Sequence, residues 1–150
     1  METKDHGASR NLTNRLKVAD RAVRLALDLL EQEGPITVKD GVMRAGRRVL
    51  NDDNRIVDQV EESTRFGCTI FLGNVRIATT AVAKGASGRA IGTQANAEIT
   101  ELVYQRGETF RGQTTTLGRD WAIVYVPLDD VDGQRVGMLA AYREILRFDD

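Results

Sequence analysis

Arg76, Arg89, Thr80, Trp121 and Tyr125 are the side chains whose chemistry suits recognition of a small polar molecule. An arginine standing on a sheet face holds a carboxylate through two parallel hydrogen bonds, and threonine or tyrosine hydroxyls supply further ones. Alternation along residues 75–82 sends Val75, Ile77 and Thr79 one way and Arg76, Ala78 and Thr80 the other, so Arg76 and Thr80 are expected on one face. The plainer reading puts each arginine in solvent and each aromatic in the core. Arg89 lies in a glycine-rich stretch with Gly85, Gly88 and Gly92, next to Lys84. The stretch fits neither the Walker A pattern nor the dinucleotide pattern G-x-G-x-x-G. It reads as a flexible loop, with contact to a small anion as the alternative.

Catalytic sets are hard to assemble. Ser63 and Ser87 have no base beside them, because the only histidine, His6, falls in a polar N-terminal segment. Cys68 is the only cysteine; it begins an apolar run and is expected to be a buried, inert thiol. No Cys/His grouping suits zinc, and the fragment Asp130–Gly133 falls far short of a calcium loop. Asp129, Asp130 and Asp132 belong to a predicted hairpin turn, where solvation explains them. No cofactor, metal or catalytic residue is expected, and an enzyme of unrecognised type is the weakest of the functional readings.

The elements that would position the five side chains follow from periodicity. Leu12, Leu16, Ala19, Val23, Ala26 and Leu30 repeat in steps of four and three, predicting a helix from Leu12 to Glu33 that Gly34-Pro35 stops. Leu16, Ala19, Val23, Ala26 and Leu30 are candidates for a dimer seam, the alternative being a helix that packs wholly on its own domain. Short β-prone pieces follow at 36–38 and 42–50, then a helical or irregular connection at 56–63. Residues 67–82 read as a hairpin turning at Gly73-Asn74, and a helix from Ala95 to about Gln105 ends at Gly107. Strands at 109–117, 121–128 and 135–146 complete a meander. The order predicts an α+β fold, one sheet with helices gathered on one face. Residues 1–11 are expected to be frayed, and residues 12–147 to form one domain.

Composition agrees with a single folded domain of 150 residues, 41% hydrophobic and 29% charged. Lys plus Arg number 21 against 22 for Asp plus Glu, a net charge of -1 that gives no basic excess for nucleic acid. No run of about 18 apolar residues is present, and the N-terminus lacks the apolar core of a signal peptide. As written the chain is expected in the cytoplasm, or outside it if it is a domain excised from a membrane receptor.

Six stretches occur in an order that resembles a known family. Gly67-Cys68-Thr69-Ile70-Phe71 is followed by Arg76-Ile77-Ala78-Thr79-Thr80 and by Gly88-Arg89-Ala90-Ile91-Gly92-Thr93. Gly107 to Gly112, Tyr125-Val126-Pro127-Leu128 and Asp132 to Leu139 continue the series, and Asn54 to Gln59 precedes it. The set resembles the single Cache sensor domains of bacterial chemoreceptors and sensor kinases. The resemblance implies a PAS-like fold, with a long N-terminal helix on a central antiparallel sheet of five or six strands. It also implies a pocket for a small molecule, often a carboxylate, between the sheet and its covering loops. Arg76 and Arg89 are the positions it points to first, then Thr80 and Tyr125. Gly118-Arg119-Asp120-Trp121 departs from the family's aromatic-rich pattern, which puts the pocket wall in question. The functional expectation is a non-catalytic sensor that binds a small anion and drives a signalling module outside this chain. A ligand-free dimerisation module is the alternative.

Overall fold

The computed structural model describes residues 2–146, with side chains from residue 10 onward. Helix α1 spans Glu2–Glu33, starting upstream of the expected Leu12. Most of the segment expected to fray lies outside the described side chains. Gly34 ends the helix with a φ of 136°, and a Cβ there would come within 2.6 Å of Gly46 Cα. Two glycines are needed where the chain leaving α1 crosses the second strand hairpin.

Three short strands, β1 (Ile36–Lys39), β2 (Val42–Ala45) and β3 (Arg48–Val49), form a small antiparallel sheet of their own. Helix α2 (Arg55–Thr64) buries Ile56, Val57 and Val60 and leads into β4 (Gly67–Leu72) and β5 (Val75–Thr79). A short helix, α3 (Ala97–Ile99), continues as a π-helical stretch over Thr100–Gln105. Asn96 starts it, its Oδ1 accepting from the Ile99 amide at 2.8 Å, which satisfies a donor with no partner inside the helix. Strands β6 (Phe110–Thr116), β7 (Arg119–Asp129) and β8 (Arg135–Glu144) complete the chain.

The main sheet has five antiparallel strands in the order β5-β4-β8-β7-β6. The expected meander and hairpin are joined where β4 pairs with β8, from Gly67↔Tyr142 to Leu72↔Gly137. Helices cover both faces of this sheet rather than one. On β7 and β8, Val124, Leu128, Leu139 and Ala141 join α1 and α2 in one core cluster. The alternate residues Trp121, Ile123, Tyr125, Met138, Ala140 and Tyr142 join Ile99 and Val103 in a second. Strands covered on both sides carry apolar residues at successive positions, which is why β7 and β8 show unbroken buried runs.

The candidate dimer seam is spent inside the molecule. Leu16, Ala19, Val23, Ala26 and Leu30 are all buried in the first cluster, where α1 lies across the sheet and against α2. A stripe that the chain itself covers is not free to pair with a second copy.

Ion pairs fasten the end of α1 to the start of α2. Arg48 reaches Glu33 at 2.7 Å and Asp53 at 3.2 Å, and Arg55 reaches Asp53 at 2.9 Å. The Arg55 guanidinium, with Arg48, holds the Asp53 carboxyl well below the usual carboxylate range. A carboxylate with a depressed folded pKa contributes stability that is complete above its unfolded value, about 3.9, and fades as acid protonates the folded form. Stability measured by urea unfolding is therefore expected to decline as pH falls below about 4. In Asp53→Asn that decline should be shallower, and an unchanged slope would remove Asp53 as its cause.

Candidate functional site

Arg76 is the centre of the site. It stands on β5 with only 3% of its surface exposed, and its guanidinium lies 5.3 Å from the centre of the Phe71 ring. Nη1 donates to Thr93 Oγ1 at 3.0 Å and to the Gln94 carbonyl at 2.8 Å, while Nη2 reaches Thr116 Oγ1 at 3.5 Å. Every one of these acceptors is neutral. Among the described residues no carboxylate forms an ion pair with Arg76. Burial accordingly pulls its pKa below the ordinary arginine value, opposed by the neighbouring Tyr125 and Tyr142. Arginine stays charged even so, and a buried charge without a counterion is costly unless something supplies one.

The two tyrosines do not supply it. Burial pushes the Tyr125 hydroxyl up to about 12 against the opposing charge of Arg76, and burial raises Tyr142 as well. Both phenols are neutral near pH 7. The charge on Arg76 is left facing uncharged hydroxyls and rings.

A cavity of about 10 Å³, room for about one water, lies beside the guanidinium. Thr69, Arg76, Thr116, Trp121, Tyr125 and Tyr142 supply its polar lining, and Phe71, Leu117 and Ile123 supply much of the apolar part. Its floor is a hydroxyl network. Thr69 Oγ1 is 2.7 Å from Thr79 Oγ1 and 2.8 Å from the Tyr142 hydroxyl, which donates to the Cys68 carbonyl at 3.1 Å. Trp121 is fixed by Nε1 donating to the Thr116 carbonyl at 3.0 Å, and its ring meets Tyr142 edge-on at 5.0 Å. A guanidinium and hydroxyls among mostly apolar walls suit a compact guest with one charged end.

Three of the five sequence candidates, Arg76, Trp121 and Tyr125, meet at this cavity. Thr80 does not. A β-bulge makes the register pass from Ile70↔Ala78 to Phe71↔Arg76, so Ile77 is the extra residue. Ile77 and Ala78 consequently both join the helix-side core, and Thr79, not Thr80, shares the face of Arg76. Thr80 reaches the site only through the Tyr142 hydroxyl, at 3.0 Å.

Arg89 is also elsewhere. Its guanidinium grips Asp58 of α2 at 2.6 and 3.1 Å and donates to the Thr79 carbonyl at 3.1 Å, at a largely exposed position. Its charge is already matched, and it locks the loop after β5 onto α2. Cys68 is buried, and desolvation pushes its thiol up to about 12, so it is unreactive near neutral pH.

Sequence reasoning missed Tyr142, Thr69, Thr116 at the end of β6 and the turn residue Leu117. Period-two alternation along β8 places Tyr142 with Met138 and Ala140, which was a readable signal. Gly67 makes room for that tyrosine: a Cβ on Gly67 would collide with the Tyr142 ring and would lie 2.6 Å from Thr80 Oγ1. Gly67→Ala is expected to cost about 1–3 kcal/mol of stability by forcing Tyr142 aside. Thermal unfolding indistinguishable from the parent would show that the ring has space to move.

Among the described residues no grouping of three or more His, Cys, Asp or Glu side chains suits a metal ion. No described helix is long and apolar enough to cross a membrane. Residues 48–145 match the family model described as Single cache domain 3. That span contains every lining residue of the cavity. No curated protein matches the chain.

Proposed function

Because this chain belongs to the single Cache family, the sensory ligand-binding domains of signalling proteins, we propose that it senses a small anion, a carboxylate foremost, held by Arg76. The observation that carries the reading is a charged, 97%-buried arginine whose partners are all neutral, beside a cavity lined by hydroxyls; that burial is the complement of its 3% exposure. A carboxylate would supply the missing charge in a site where little water screens it, and the Tyr125 hydroxyl stands ready as a further donor. The cavity holds only about one water as it stands, so a guest must displace the contacts Arg76 now makes with Thr93, Gln94 and Thr116.

Those contacts give binding a mechanical consequence. Thr93 and Gln94 belong to the segment after β5, and Thr116 to the end of β6. An anion that takes over the donors of Arg76 releases both. β6 pairs along its length with β7, and β7 lies against α1, so movement at the end of β6 is felt by α1. A signalling module outside this chain would read that shift, provided the ligand favours one arrangement over the other.

The alternative, a ligand-free dimerisation module, drew on the α1 seam, and the chain's own core occupies that seam. The test is a thermal-shift screen against small carboxylates, amino acids and inorganic anions. A ligand at one hundred times its Kd stabilises by about 2.7 kcal/mol. For a domain of this length that is a rise in Tm of about 5–10 °C. A flat response across all anions would refute the reading.

A further inference from the structure

One side of the cavity is closed by a residue whose backbone is ill suited to its place. β6 and β7 pair as far as Thr116↔Arg119, which leaves Leu117 and Gly118 as a two-residue turn. Both have positive φ, 56° and 72°. That geometry belongs to tight hairpins whose first residue is ordinarily Asn, Asp or Gly. The β1–β2 hairpin obeys the preference: between Lys39 and Val42 it uses Asp40-Gly41, with φ of 53° and 76°. Leucine gains nothing from the left-handed region, because its Cβ crowds the backbone there and it has no polar atom to compensate.

The Leu117 side chain is what the turn gains. It is half-buried, packs on the second core cluster and lines the cavity with Arg76 and Trp121. Thr116, the residue before it, ties down both of those neighbours, accepting from Arg76 through its hydroxyl and from Trp121 through its carbonyl. The Leu117 carbonyl accepts from the Lys84 amide at 2.8 Å, joining the turn to the segment that follows β5. Backbone strain kept at a cavity mouth by surrounding contacts is the arrangement found at ligand clamps.

We infer that Leu117 is the lid of this pocket and sets the size of the anion it admits, a reading that rests on the proposed role of Arg76. Once the Arg76 contacts give way, small carboxylates fit beneath the isobutyl group, and larger ones require the turn to swing out as well. Trp121 is the only tryptophan and sits beside the lid, so its fluorescence reports the closure without any ligand.

The experiment compares the full chain with Leu117→Asn, and with Leu117→Gly should the first variant fold poorly. Acrylamide quenching of Trp121, Tm, and the affinities for acetate and benzoate are the readouts. Quenching should rise several-fold in the variant while Tm stays near that of the parent, because relief of the left-handed strain offsets the lost apolar contact. Benzoate should gain on acetate. A lower Tm with unchanged quenching would make Leu117 a packing residue and overturn the inference, as would open quenching with the acetate-to-benzoate preference unaltered. Binding of neither acid by either protein would overturn the size limit for carboxylates, while quenching would still decide whether Leu117 closes the cavity.

Discussion

Arg76→Ala is expected to abolish anion binding while leaving a folded protein. Truncating one member of a buried, hydrogen-bonded charge pair costs about 2–5 kcal/mol in affinity. At the middle of that range the loss is more than 100-fold. The fold should survive because Arg76 contributes three hydrogen bonds to neutral groups and no ion pair among the described residues, while its own burial is unfavourable. Arg76→Lys should also bind poorly, since a single ammonium cannot reproduce the planar, two-pronged contact. Calorimetric titration with the best anion from the screen, alongside circular dichroism, measures both. Parent-like affinity in Arg76→Ala would remove the arginine from the site. Affinity should also depend weakly on salt, because a pair this buried is poorly screened.

Val23→Asp is expected to cost about 3–5 kcal/mol of folding free energy, comparable to the whole stability of many small domains. Val23 is 6% exposed in the cluster where α1 crosses the sheet, and its neighbours there are apolar. An aspartate at that position would be desolvated without a partner. Urea unfolding and sedimentation together distinguish this from a dimer-seam role. A folded variant of unchanged stability but halved mass would restore the seam and contradict the packing described here.

Much of the architecture was legible because it depends on local signals. The four-and-three spacing from Leu12 to Leu30, with Gly34-Pro35 after it, marked the end of α1, though the helix starts well before Leu12. The Gly73-Asn74 turn and the glycine at 107 placed other elements to within a few residues. What the sequence could not convey is which partner each apolar face meets. The α1 stripe suits a second helix or a sheet equally well, and only the tertiary structure assigns it to the sheet.

The site was half legible for a related reason. Period-two alternation put Arg76 on the face that lines the cavity, but it assumes an unbroken strand, and a single bulge residue, Ile77, exchanged Thr80 for Thr79. Arg89 looked like a ligand group because of the family resemblance of residues 88–93, with its glycine-rich loop as weaker support. Its partner, Asp58, lies 31 residues earlier on α2, a distance across which no spacing rule operates. Tyr142 and Thr69 come together from β8 and β4 through strand pairing that only the fold defines. A family match over residues 48–145 names the kind of domain, while the uncompensated charge on Arg76 is visible only in three dimensions.

The most direct test is nuclear magnetic resonance of the arginine side chains during titration with the carboxylate that gives the largest thermal shift. The Arg76 guanidinium signals, assigned by their loss in Arg76→Ala, should move and saturate with the Kd found by calorimetry. Those of Arg89, already paired with Asp58, should stay in place. Saturating shifts at surface arginines with Arg76 unmoved would contradict the account.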